Sequence, residues 1–413
     1  MERPPVLIIS TYPPEHCGVG RDAYEFVQAL RVKRPTTVLA NIARGNRLQD
    51  PTVQMVWYKN DFLYPIRIAN AARKIFPRRN AVAHVFHHFF LYGKGATIPL
   101  FPVLILLLKV QGFPLAVQFQ SVIEVSKFKP NDYSIPTRVY RFLIGMTLGN
   151  FYRFISRLSS AIIVCTRSMR DLLVDFYRID PGKVWIIPVG WKSGVNGLER
   201  AGGIEPKDPA KPRTILFHGF IDPTKGLEVL IEAGSLLVHE YPDLQIILAG
   251  EVSPHLGTSG ASYLASLKDR ARDAGIEGHL IFTGYLDNEQ LDKTLFASDV
   301  IVLPYTMVLS HGGSASLGRI AHLGRPVVAS RISRFADELT HGENALLTAP
   351  GDPIELSSAI RWVFEHPKEA NEMGENLKTL AQKRTWDISA RVADEQVYQS
   401  ITAKSPRSMN NDQ

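Results

Sequence analysis

Residues 302–330 read VLPYTMVLSHGGSASLGRIAHLGRPVVAS. The run VIVLP (300–304) gives way to a polar, glycine-rich turn, a short helical stretch and a second apolar run, PVVAS (326–330). Strand, turn, helix and strand in that order make the repeating unit of a parallel sheet, because parallel neighbours need a crossover and a helix supplies it. The turn itself, SHGGSASLGR (310–319), holds no carboxylate. Gly312, Gly313, Ser314, Ala315 and Ser316 are small residues at the expected start of a helix. Backbone N–H groups and two hydroxyls there suit an anion, and the helix dipole adds attraction. The plainer reading makes Ser314 a helix N-cap and nothing more.

The same alternation extends in both directions. Towards the N-terminus the expected strands are VLIIS (6–10), TTVLA (36–40), VQMVWY (53–58), AVAHVF (81–86), LAVQF (115–119), AIIVC (161–165) and KVWIIP (183–188). Residues 189–212 are rich in Gly, Pro and charge and lack periodicity, which reads as a linker. The pattern restarts with TILFHG (214–219), LQIILAG (244–250) and HLIFTG (279–284). The expected division is therefore an N-terminal domain 1–188, a linker 189–212 and a C-terminal domain 213–385. A closing helix at 386–403, expected to return to the first domain, and a disordered tail at 404–413 complete it. Two α/β halves of similar size imply a ligand cleft between them.

Composition bounds the function. A chain of 413 residues with 45% hydrophobic and 21% charged residues reads as a soluble protein of two or three domains. Two cysteines, Cys17 and Cys165, exclude a disulfide framework and point to a reducing cytoplasm. The start MERPPVLIIS has no signal-peptide pattern, and the longest apolar run, IPLFPVLILLL (98–108), is about half a membrane span. A net charge of +7 favours anionic partners. Without a zinc-finger, RRM or KH signature, nucleic acid is not an expected partner.

Two further glycine turns stand at strand ends. In STYPPEHCGVGRDAYEFVQAL (10–30), Gly18 and Gly20 are expected to precede a helix beginning near Arg21. Missing β-carbons there let a backbone approach a ligand, though a plain turn accounts for them equally. In FHGFIDPTKGLEVLIEA (217–233), Lys225 opens a helix as a point charge for a diphosphate, unless it is a solvated surface lysine.

Taken in order, these segments resemble the family 4 glycosyltransferases of the GT-B fold, from residue 5 to about 403. TYPPEHCGVGRDAYEFVQAL is similar to the family's opening glycine loop, VAHVFHHFFLYGKG to its histidine segment, and IIPVG to the entry to its linker. FHGFIDPTKGLEVLIEA, HGENALLTAPGDPIELSSAI and TWDISARVADEQVYQSI are similar to its second-domain loop, late turn and closing helix. The branch it resembles has a CGIA-like start and lacks a paired-glutamate motif. The resemblance implies two Rossmann-like domains with parallel sheets facing across a cleft. It also implies a nucleotide-sugar donor, sugar transfer with retention, and no cofactor or metal. It matches Lys225 to a donor-phosphate lysine, Gly18 and Gly20 to the donor-facing loop, and Gly284, Tyr285 and Leu286 to the loop bordering the base.

Departures from the family pattern fall on functional positions. Where many relatives have two glutamates with seven residues between them, this chain has His311 and Arg319. Phe220 stands for an arginine and Gln120 for a histidine, while His87 is retained. His87, Gln120 and His311 are therefore the candidate catalytic residues, and Arg319 is expected to add positive charge beside the diphosphate. The leading reading is sugar transfer to a glycan or lipid-linked acceptor. The alternative is a catalytically degenerate relative that binds nucleotide or glycan, or serves as a partner subunit. Residues 134–158, with four arginines among apolar side chains, and 89–109 form an expected basic, apolar face for an anionic membrane surface, with a plain core helix as the competing reading. Peripheral attachment to the inner face of the membrane would follow.

Overall fold

The computed structural model describes residues 3–15, 17–43, 50–78, 80–127, 137–192, 212–253, 256–306 and 310–403. The chain divides into two compact units, one comprising Met1–Gly190, Leu309–Gly313 and Arg384–Gln413, the other Trp191–Val308 and Ser314–Lys383. The linker and tail expected at 189–212 and 404–413 lie largely outside the described residues.

The first unit is built on β1 (Val6–Ile9), β2 (Thr36–Asn41), β3 (Val53–Trp57), β4 (Val82–His87), β5 (Leu115–Phe119), β6 (Ser121–Ile123), β7 (Ala161–Val164) and β8 (Val184–Ile186). Seven of them form a parallel sheet in the order β3-β2-β1-β4-β5-β7-β8. Its central strands are apolar without alternation because helices cover both faces; every residue of β1 and β7 is buried. The helix Gly18–Arg31 buries Ala23, Phe26, Val27 and Leu30, a stripe at helical spacing.

The C-terminal segment completes this same core. Residues Trp386–Val392 are helical and pack on Gly18–Arg31, and Ala390, Ala393, Val397, Tyr398 and Ile401 join the cluster of β1 and β4. Trp386 packs against Gly190, where a β-carbon would come within 2.3 Å of the indole ring. Deeper in, Asp394 is fully buried between Arg34 and Arg3, and His84 Nδ1 stands 2.6 Å from the Tyr398 hydroxyl. A buried charge is tolerable only when paired in this way.

The second unit contains β9 (Thr214–His218), β10 (Gln245–Ala249), β11 (Leu280–Gly284) and β12 (Val300–Leu303). After β13 (Ser310–Gly312) come β14 (Val327–Ser330) and β15 (Leu346–Thr348). Its sheet is parallel in the order β11-β10-β9-β12-β14-β15. β13 is not part of it: it pairs antiparallel with β6 in the first unit's portion of the chain. No helix among the described residues is long and apolar enough to cross a membrane.

Candidate functional site

In open α/β sheets ligands bind beyond the carboxyl ends of the strands, where the strand order reverses. In the second unit that reversal lies between β9 and β12. From β9 the chain enters Gly219 and then the turn Pro223–Lys225, which Asp222 caps by accepting from Thr224 N at 2.9 Å and from Thr224 Oγ1 at 2.7 Å. Gly226 follows with φ 68°, and a β-carbon there would sit 1.9 Å from the carbonyl oxygen of Pro304. Only glycine lets the turn press against the end of β12. The lysine expected to open a helix thus lies on a tight turn, and the helix itself is Leu227–Leu237.

This turn aims Lys225 Nζ at the ring of Tyr305, 4.0 Å from its centroid. Tyr305 is buried, and its hydroxyl donates to Ser316 Oγ at 3.1 Å. Among the described residues no carboxylate pairs with Lys225, which is half-buried. The ammonium thus rests on the face of an aromatic ring, a cation–π contact. Ser314 caps the short helix Ala315–Ile320 by accepting from Leu317 N at 3.1 Å, as the plainer reading of that residue has it. Ser316 lies on the helix beside Tyr305.

Arg319 is placed differently from the expectation. It is 7% exposed, forms an ion pair with Asp292 and donates to the Asn288 carbonyl oxygen at 3.3 Å. Asp292 also accepts from Lys192 Nζ at 2.9 Å, and although burial would raise its carboxyl, these two cations hold it below the usual range. The positive charge of Arg319 is therefore spent inside the unit. Gly284 ends β11 with φ 67°, Tyr285 is 68% exposed beside it, and Leu286 packs partly against the core.

In the first unit the reversal lies between β1 and β4. The helix after β1 starts at Gly18 rather than near Arg21, so both glycines lie in its first turn. Glycine reads as a breaker in sequence, yet here Gly20 is what lets the helix seat: a β-carbon would meet the Thr11 and Tyr12 backbone at 3.3 Å. Gly18 faces open space. Asp22, on the next turn, has its carboxyl pushed up to about 7 by burial. Nothing in its local sequence marked it.

His87, at the end of β4, is 2% exposed and ringed by Phe89, Phe101, Phe119 and Phe151, with Phe101 at 4.3 Å between centroids. Burial, with His88 beside it, lowers its pKa to about 3, so it is neutral at physiological pH. A candidate for contact with substrate is thus an interior side chain. Gln120 N donates to the His87 carbonyl oxygen at 2.9 Å, tying the ends of β4 and β5. His311 lies on β13, its Nε2 2.6 Å from Glu124 Oε2, and Gly313 N donates to Cys165 Sγ at 3.1 Å. Gly312 pairs with Ser121. Glu124 carries no motif, and only the long-range pairing of β6 with β13 reveals it.

Residues 204–380 match the family described as Glycosyl transferases group 1. The D-inositol 3-phosphate glycosyltransferase 2 of Catenulispora acidiphila is 28% identical over 249 residues, 58% of this chain and 56% of that one. The D-rhamnosyltransferase WbpZ of Pseudomonas aeruginosa is 32% identical over 168 residues, 40% of each chain. The chain spans about half the length of the curated relatives it matches. Among solved structures, sucrose-phosphate synthase from Thermosynechococcus elongatus has a TM-score of 0.73 at 18% identity, over 98% of this chain and 100% of that one. Anabaena HepE in complex with UDP has a TM-score of 0.68 at 14% identity, with the same coverage.

Proposed function

We propose that this chain, which has the GT-B fold and carries a Glycosyl transferases group 1 domain at 204–380, moves a sugar from a nucleotide-sugar donor to a glycan or lipid-linked acceptor. The single observation that carries the reading is Lys225, a half-buried cation on Tyr305 at the reversal point of the second sheet. A nucleoside diphosphate supplies the counter-charge this lysine lacks among the described residues. As the leaving group departs, charge develops on its phosphate oxygens, and a fixed ammonium favours that state over the ground state. Retention at the anomeric carbon and independence of metal ions belong to the same proposal. UDP bound to HepE, a protein of like fold, is consistent with the donor class.

The acceptor side of the reading rests on the first unit's surface. Helices Tyr64–Ile75, Phe101–Val110 and Thr137–Leu158 pack on one another in turn. They leave Phe62, Ile66, Leu106, Val110, Leu143 and Met146 exposed. Residues 51–123 contain one acidic side chain, Asp61, and 137–158 contain none. An apolar face set among Arg67, Arg73, Lys74, Lys109 and Arg157 suits an anionic bilayer carrying a lipid-linked acceptor. The test is turnover of UDP- and GDP-sugars by purified protein and by Lys225→Ala. Hydrolysis or transfer that the variant loses supports the proposal. Turnover that the variant keeps in full opposes it, and absence of turnover with retained nucleotide binding favours a non-catalytic relative.

A further inference from the structure

Charge is sorted along this chain. Its net charge is +7, yet residues 341–376 hold seven acidic side chains against two basic ones, Arg361 and Lys368. Arg361 is already engaged, its guanidinium donating to both carboxylate oxygens of Glu240 at 2.8 Å. This acidic stretch borders a groove of about 900 Å³ between the edge strand β15 and the helices Pro353–Glu365 and Pro367–Gln382. Leu346, Leu347, Trp362 and Met373 give the groove an apolar floor, and Trp362 is steadied by stacking on His366, 4.8 Å between ring centroids. Glu343, Glu369 and Glu372 stand at its rim. All three are exposed, and none has a basic partner among the described residues.

A strand cannot add at this edge. Leu347 N donates to His341 Nδ1 at 2.9 Å, and the Leu347 carbonyl oxygen accepts from Arg331 Nη2 at 2.9 Å. The groove therefore offers side chains, and an apolar trough flanked by two helices fits the ridge of a third. The first unit carries such a ridge with the opposite charge. Residues 62–123 contain seven basic side chains and no acidic one. On the helix Phe101–Val110, Val103, Leu106 and Val110 recur at i, i+3 and i+7 and are 41%, 41% and 76% exposed. Lys109 stands next to Val110, and the helix packed alongside, Tyr64–Ile75, adds exposed Arg73 and Lys74. Opposite charges steer two such surfaces together, and the apolar ridge supplies area to bury.

We propose that the groove around Trp362 docks a second copy of this chain, taking the ridge of Val103, Leu106 and Val110 between its carboxylates, with Arg73, Lys74 and Lys109 as their counter-charges. The contact joins unlike surfaces, so it either closes reciprocally in a pair or runs on from copy to copy. The groove is small, and the expected affinity is that of a weak interface, with Kd on the order of 10–100 μM. The inference does not rest on the glycosyl-transfer reading. Its ridge belongs to the face proposed to meet an anionic bilayer, so a bilayer and a second copy compete for it.

The experiment is sedimentation velocity on the purified full chain at low ionic strength, from about 1 to about 200 μM, a range that brackets the expected Kd. The wild type is expected to gain mass with concentration. Raising salt from about 0.05 to about 0.5 M is expected to weaken the association at least fivefold, because exposed charges are screened. Glu369→Lys/Glu372→Lys spoils the groove and Leu106→Glu/Val110→Glu spoils the ridge. All four positions are exposed, and thermal unfolding at the wild-type midpoint shows that both variants fold. Each variant alone is expected to stay monomeric. Their mixture is expected to form a one-to-one dimer and stop there, because one protein keeps the intact ridge and the other the intact groove. A wild type that is monomeric throughout overturns the proposal. Self-association that persists in the groove variant alone means ridge-to-ridge pairing and overturns it too. Persistence in the ridge variant alone, or a mixture that stays monomeric, does the same.

Discussion

Lys225 Nζ lies 4.0 Å from the centroid of the Tyr305 ring, with the Tyr305 hydroxyl on Ser316 Oγ. One aromatic side chain thus joins the lysine turn after β9 to the serine-capped helix after β13. Removing the charge in Lys225→Ala is expected to lower donor kcat/KM by about 100-fold. Tyr305→Leu keeps the charge but frees the ammonium, with an expected loss of about 3- to 10-fold from the cation–π contact. Steady-state kinetics on both variants check the ranking. Equal losses would show that position matters as much as charge.

Gly226 makes the lysine turn possible. Gly226→Ala meets both a positive φ and a carbonyl oxygen 1.9 Å from the new methyl carbon. The expected cost is about 2 kcal/mol or more, visible in chemical denaturation, together with weaker nucleotide binding because Lys225 is displaced.

Asp394 anchors the C-terminal segment through Arg34 and Arg3. Asp394→Ala strands Arg34, which is 3% exposed, without its counter-charge. A loss of about 3–5 kcal/mol is expected in urea unfolding. A loss below 1 kcal/mol, the usual range of a surface pair, would contradict the buried assignment.

Two interior histidines make the first unit acid-sensitive. Burial lowers His84 and His87 to about 3, against about 6.5 in an unfolded chain. Above pH 6.5 both states are neutral and the stability is fully present. As pH falls from 6.5 towards 3 the unfolded chain takes up protons that the native state refuses, and stability is lost. At pH 5 the loss is on the order of 2 kcal/mol for each histidine. Unfolding midpoints of wild type and His87→Leu between pH 5 and 8 are expected to show a shallower acid limb in the variant, and identical limbs would contradict it.

Strand positions were legible because a parallel strand covered on both faces is an unbroken apolar run, as in VLII of β1 and VIVL of β12. The turn holding Lys225 was legible too, from glycine and proline chemistry at a strand end. Side-chain partners were not. Sequence reading gave Arg319 to a ligand, but the fold supplies Asp292, 27 positions earlier, and a burial that excludes solvent. His311 found Glu124 only because three residues of β13 pair with β6, too short a match for periodicity to register. Resemblance matches His87 to a family histidine and makes it a catalytic candidate, whereas four phenylalanines from separate elements enclose it. Gly18 and Gly20 read as a turn before the helix, and contact with the Thr11 backbone makes the second a helix seat.

The most direct test of the central claim is donor turnover by the purified chain, with UDP- and GDP-sugars offered singly and nucleoside diphosphate release followed over time. The account predicts release from at least one donor, slowed about 100-fold in Lys225→Ala although the variant unfolds at the wild-type midpoint. Release at the same rate in both proteins would contradict it.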